Sequence, residues 1–155
     1  VPCRQSPHKD SATGATGGQR LEMLRLLTND LPWAEVSDYE LTSPGESFSW
    51  KTAQYFHDQL PAGGELFWIL GVDQWTVIET WSRPGLLAEL LTFIVLPRAG
   101  VTAQEKPGFR TCFLKGSHPA SASEVRLRCR SGDDVSTLVT PEVESFIRAG
   151  QLYLH

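Results

Sequence analysis

Glu65-Leu66-Phe67-Trp68-Ile69-Leu70-Gly71-Val72-Asp73-Gln74-Trp75 is the stretch whose reading decides the fold. Residues 66–70 are five large apolar side chains in succession. A strand with one wet face would alternate, so this run reads as a strand buried on both sides, near the middle of a parallel sheet. Gly71 lets the backbone turn sharply or come close to a ligand, and Asp73 places a carboxylate just past the strand's carboxyl end. In open α/β sheets ligands bind at that edge. The plainer alternative is that Gly71 ends the strand and Asp73 caps whatever follows.

Working outward, helix and strand patterns alternate. Upstream, Leu21, Met23, Leu24, Leu26 and Leu27 form a helical stripe over residues 19–29, stopped by Asn29-Asp30-Leu31-Pro32. Residues 34–41 alternate imperfectly, as a half-buried strand would. Ser47 or Ser49 is expected to cap a helix reaching about residue 60, with Trp50, Ala53, Phe56 and Leu60 inward. Downstream, Trp75, read as packing, and Trp81 lie in a loop; an apolar helix over 85–91 starts behind Pro84, and strands follow at 92–96 and 110–114. Ser121 precedes a helix of about ten residues ending at Ser131-Gly132, and Pro141 opens a last helix over 142–149. This order predicts an α/β fold with a mostly parallel sheet.

Composition narrows the function. A length of 155 residues, with 41% hydrophobic and 10% aromatic, suits one domain, residues 1–155, with a real core. A net charge of −4 argues against nucleic acid or anionic membranes as partners. Cys3, Cys112 and Cys129 are odd in number and lack C-x-x-C spacing, so no disulfide framework or zinc site is suggested and a cytoplasmic setting is the simplest. No apolar run approaches the roughly 18 residues that span a bilayer, and no signal pattern opens the chain.

Two places could hold phosphate. Ser121-Ala122-Ser123-Glu124-Val125-Arg126 combines two hydroxyls, the free N–H groups of a helix start and a forked cation; its alternative is a helix cap with Glu124 as capping-box partner. His8-Lys9 offers two potential cations near a strand end, or else two solvated loop charges. The glycine run Thr13-Gly14-Ala15-Thr16-Gly17-Gly18 lacks a P-loop's lysine and reads as a flexible connector.

Taken in order, these stretches resemble the bacterial nicotinate-nucleotide adenylyltransferases of the nucleotidyltransferase superfamily. The resemblance runs through Val1-Pro2 and Ser6-Pro7-His8-Lys9, Arg20-Leu21-Glu22-Met23-Leu24 and Ser47-Phe48-Ser49-Trp50-Lys51-Thr52, where Lys51 replaces the usual aspartate. It continues through Gly71-Val72-Asp73-Gln74 with Trp81, Pro97-Arg98-Ala99-Gly100, residues 121–126, and a tail from Val139 to Tyr153. It implies a Rossmann-like sheet with helices on both faces, and adenylyl transfer from ATP, with Mg²⁺, to nicotinate mononucleotide. It further implies that Ser121, Ser123, Arg126, His8 and Lys9 hold ATP phosphates, that Gly71 and Asp73 lie against the nucleotide, and that Ser49 and Trp81 meet the nicotinate mononucleotide.

The family's GGSFDPxHxGH signature, which carries its catalytic histidines, does not occur in this sequence; His8, His57, His118 and His155 form no H-x-G-H. With Val1 as first residue, the chain is expected to lack a first βα unit of on the order of 30 residues. Two other readings stay open: a noncatalytic nucleotide-binding remnant of the same fold, and a related transferase acting on another phosphate acceptor such as pantetheine phosphate.

Overall fold

Helix α1, Gly17–Thr28, starts where its cap allows. The Thr16 hydroxyl accepts the Gln19 N–H at 3.2 Å, and the Gln19 side chain accepts the Thr16 N–H at 2.7 Å. The box therefore pulls Gly17 and Gly18 out of the expected connector and into the first turn. A Cβ at Gly17 would lie 2.7 Å from Leu41 Cδ2, so the Leu41 side chain would have to shift to admit one. The computed structural model describes residues 1–4, 14–98, 100–101, 103–116 and 121–154. It divides the chain into two units: Val1–Ser47 with Ala120–His155, and Phe48–Pro119.

In the first unit the expected strand at 34–41 does not form. Residues 34–38 are irregular, and one helical turn, α2 (Tyr39–Thr42), follows with Glu40 buried. The turn stops at Ser43, which precedes Pro44 and is extended at φ −73°, ψ 139°. The alternation of residues 34–41 found no ladder partner among the described residues. Trp33, just upstream, is 81% exposed.

The second unit carries the sheet. Helix α3, Ser49–His57, is preceded by Phe48 at the cap position, not by Ser47 or Ser49, and turns Thr52 and Ala53 inward. Strand β1 is Leu66–Gly71. It leads directly into α4 (Val72–Thr76), a 3₁₀ turn (Ile78–Thr80) and α5 (Pro84–Leu90). Strands β2 (Leu91–Leu96) and β3 (Arg110–Phe113) follow. The three strands are parallel in the order β1-β2-β3, with Leu70 opposite Val95 and Ile94 opposite Cys112. The fold class expected from the sequence is the one observed, but the place of β1 in it is not. Among the described strands the middle one is β2, whose Leu91, Phe93 and Val95 are 0–1% exposed. On β1 the Leu66, Trp68 and Leu70 side packs on the core, while Phe67 is 50% and Ile69 62% exposed. A run of apolar residues shows that both faces tolerate burial; what covers each face is decided by other segments.

Helix α6, Ala122–Ser131, and α7, Pro141–Ala149, return to the first unit. Gly132 closes α6 at φ 73°, where a side chain would be strained. Thr140 caps α7, Pro141 occupies its first position, and α7 packs on α1. Behind α7 the Leu152 N–H reaches the Ile147 carbonyl at 3.0 Å, so Leu152 enters a core of Ala15, Cys129, Val135, Val143 and Ile147. No helix among the described residues is long and apolar enough to cross a membrane.

Candidate active site

At the carboxyl end of β1 the chain passes through Gly71, extended at φ −75°, ψ 153°, into α4. No sharp turn requires glycine there. A Cβ at Gly71 would meet no atom within 4 Å, so glycine keeps open space against the strand end. Burial of Val72 and Trp75 fixes the rotation of α4 and turns Asp73 outward. The Trp75 indole is the anchor. It is 1% exposed, donates to the Gln104 carbonyl at 2.8 Å, and lies 5.6 Å between ring centroids from both Phe93 and Phe109. Trp75 is thus a packing residue, as its sequence context suggested. The Asp73 carboxylate does not cap α4; it pairs with Arg98 in the segment after β2. Both partners are about half exposed, so the pair adds roughly 0–1 kcal/mol and can open to another donor or acceptor.

In the same unit Ser49 is the half-buried first residue of α3, and no side chain caps that helix. Trp81 ends the 3₁₀ turn, half-buried against the core that holds Trp75.

The second set of expected residues lies in the other unit, at the start of α6. Ser121 is its cap: the hydroxyl accepts the Glu124 N–H at 3.1 Å. Glu124 is engaged with Arg128 at 2.8 Å. The cap reading of this segment is therefore realised, at least for Ser121. Ser123 and Arg126 are brought together, the guanidinium donating to the hydroxyl at 3.2 Å. Tyr153 belongs to the same neighbourhood; burial pushes its phenol above the usual range, and the charges of Arg126 and Arg20 pull it back. His8 and Lys9 lie outside the described residues.

A family model described as cytidylyltransferase-like matches residues 1–128. The chain belongs to that family. Two curated relatives, each named a probable nicotinate-nucleotide adenylyltransferase, match nearly the whole of this chain and about three quarters of their own length. One, from Methylacidiphilum infernorum (isolate V4), is 32% identical over 99% of this chain and 76% of its own length. The other, from Synechococcus sp. (strain JA-3-3Ab), is 32% identical over 99% of this chain and 78% of its own. A solved Plasmodium falciparum nicotinic acid mononucleotide adenylyltransferase complexed with NaAD covers 97% of the chain and 79% of its own length, with a TM-score of 0.70. At 17% identity that likeness concerns the fold: the parallel open sheet is a cytidylyltransferase-like one.

In this cytidylyltransferase-like chain the structure thus brings Gly71, Asp73, Ser49 and Trp81 into one unit and Ser121, Ser123 and Arg126 into the other. Sequence reading named Arg98 only within its motif and missed its pairing with Asp73, 25 residues away. It also missed Arg83, whose left-handed backbone (φ 54°) nothing in the local residue pattern announces.

Proposed function

We propose that this chain transfers the adenylyl group of ATP to nicotinate mononucleotide, as a single nucleotidyltransferase domain of NAD biosynthesis in the cytoplasm. The match of the two curated relatives over 99% of the chain carries this reading. A mononucleotide phosphate oxygen attacks the ATP α-phosphorus in line; that P–O bond forms as the bond to the β-phosphate oxygen breaks, and pyrophosphate leaves. No covalent protein nucleophile is needed, so the protein contributes alignment and charge.

Arg126 and Ser123 suit the triphosphate: a forked guanidinium beside a hydroxyl, in the first turns of a helix. In this reading His8, Lys9 and Ser121 complete that cradle. Gly71 leaves room for the nucleotide against the strand end, and Asp73 exchanges its exposed partner Arg98 for a ribose hydroxyl. Ser49 and the uncapped N–H groups of α3 meet the pyridine end, and Trp81 stacks on the ring. Among the described residues no cluster of three or more His, Cys, Asp or Glu fits a metal ion. In this reading Mg²⁺ would arrive as the ATP complex, held largely by triphosphate oxygens.

The test is pyrophosphate release by the full-length protein given MgATP with nicotinate mononucleotide, against MgATP alone. Release only with the acceptor is the expected result; equal traces in both reactions would refute the reading.

A further inference from the structure

Arg98 stands where strand ends meet. Pro97 carries the chain out of β2, the middle one of the described strands, and Arg98 begins a tight turn: the Val101 N–H donates to the Arg98 carbonyl at 3.2 Å, with Gly100 at φ 80° at the corner. The backbone of Arg98 is therefore fixed, while its side chain is half exposed. The guanidinium reaches across to Asp73, just past the carboxyl end of β1, where Gly71 lies opposite Leu96. On the far side of β2 the Leu114 N–H donates to the Val95 carbonyl at 3.1 Å. The ladder thus runs one residue past β3, and the exposed Lys115 leaves the sheet from the same edge.

The other described arginines and lysines of this unit are engaged elsewhere. Arg110 opens β3 at the opposite, amino end, where it donates to the Thr92 hydroxyl and the Glu89 carbonyl. Lys106 is tied to Glu79, and Arg83 and Lys51 lie over the Trp50 ring. Arg98 is the one bonded to a residue of the candidate site, and a half-exposed pair of this kind opens readily.

We propose that Arg98 is a catalytic residue: when a ribose hydroxyl of ATP takes its place on Asp73, the freed guanidinium turns to the α-phosphate and holds its non-bridging oxygens through the transfer, with Lys115 adding charge at the same edge. This rests on the adenylyl-transfer reading given above. The α-phosphate is esterified to the very ribose that Asp73 holds, so the anion is delivered beside the cation that the ribose displaces. A guanidinium's forked donors match two phosphate oxygens, and charge placed there lowers the barrier to in-line transfer. As the acceptor oxygen bonds to the α-phosphorus and pyrophosphate leaves, Arg98 forms no covalent bond and gives up no proton.

The experiment measures pyrophosphate release by the full-length protein and its Arg98→Gln and Arg98→Lys variants, with nicotinate mononucleotide and either ATP or each diastereomer of its α-thio analogue. Sulfur in place of an α-oxygen weakens a hydrogen bond to that position and leaves the ribose as it was. We expect Arg98→Gln to lower kcat about thirtyfold, as loss of a charge-assisted hydrogen bond does, with KM for ATP within about threefold. The kcat ratio of ATP to one α-thio diastereomer should move towards one in the same variant, and Arg98→Lys should recover part of kcat. An unchanged kcat in Arg98→Gln overturns the proposal. So does a fall in kcat with both thio ratios as in the wild type, which would mean that Arg98 acts only by holding Asp73. Failure of the wild-type protein to release pyrophosphate from ATP and nicotinate mononucleotide would instead overturn the functional reading, and this proposal with it.

Discussion

The two units solve burial differently. In Phe48–Pro119 the sheet provides a floor: Leu91, Phe93 and Val95 point the same way from β2, and Trp75, Val72 and Ile78 close over the core, every one at 0–1% exposure. All of the largest fully buried side chains, Leu87 included, belong to this unit. Among the described residues the unit of α1, α6 and α7 has no such floor. In its core cluster Val135 is deepest at 3% exposed, and Ala15, Cys129 and Val143 are 8–9% exposed. Helices packed without a sheet leave gaps between their cylinders that small residues fill. The sheet-based unit is therefore built to hold Gly71 and Asp73 still, whereas Ser123 and Arg126 depend on a helix fixed by local caps and a modest core.

Truncation is the strongest way to sharpen this contrast. Trp75→Ala should destabilise by about 3–5 kcal/mol, because it opens a cavity among Phe93, Phe109 and Phe113 and leaves the Gln104 carbonyl without its donor. Ile147→Ala, in the shallower core, should cost nearer 2 kcal/mol, the low end of the range for such changes. Urea unfolding of the two variants checks the order. An Ile147→Ala loss equal to that of Trp75→Ala would show that the two cores are equally tight.

Arg126 sharpens the comparison at the level of ligands. Among the described residues the Arg126 side chain donates a hydrogen bond to Ser123 alone, at a helix start that Ser121 caps, so Arg126→Ala should change stability by less than about 0.5 kcal/mol. ATP affinity should fall by roughly 1.5–3 kcal/mol, with mononucleotide binding unchanged. Trp81→Ala should do the reverse to the two ligands. Isothermal titration with each ligand reads both; equal small losses for both ligands in both variants would mean that the two roles are misassigned.

The helices were legible where their signals were local. Ser121 with Gly132, and Pro141 with Gly150, bounded α6 and α7 in the sequence within one residue. What escaped depends on segments far away in the chain. The exposed side of β1 could not be told from its buried side, since Phe67 and Trp68 are equally apolar and only packing distinguishes them. Residues 34–41 carried a weak alternation that no neighbouring strand took up. The site was legible as residue types in family order, while its electrostatics were not: Asp73 meets Arg98, and Trp50 meets Arg83, through folds of the chain that no short window contains.

The smallest expected effect belongs to Asp134 in the helical unit. Its carboxylate accepts the Ser136 N–H at 3.0 Å and the Ser136 hydroxyl at 2.8 Å, and these bonds hold its carboxyl below the usual range. A carboxyl with a folded-state pKa below its unfolded value adds stability above the unfolded value and loses it as pH falls through the folded one. Asp134 is fully exposed, so the effect is slight. Asp134→Ala should narrow the gap between urea midpoints measured near neutrality and below about pH 4. An unchanged gap would show that the turn at Ser136 adds nothing to the pH dependence.

Trp33 is 81% exposed and Trp75 1%, and they lie in different units. The remaining three of the five tryptophans, Trp50, Trp68 and Trp81, all belong with Trp75. The helical unit therefore owns a single indole, bathed in solvent, and the sheet unit owns a set shielded to varying depth. Iodide reaches the first at once, whereas the emission of Trp75 stays blue and protected until its own core opens. The chain's native fluorescence thus separates into two colours, one for each unit, and melting of either can be watched without attaching a dye.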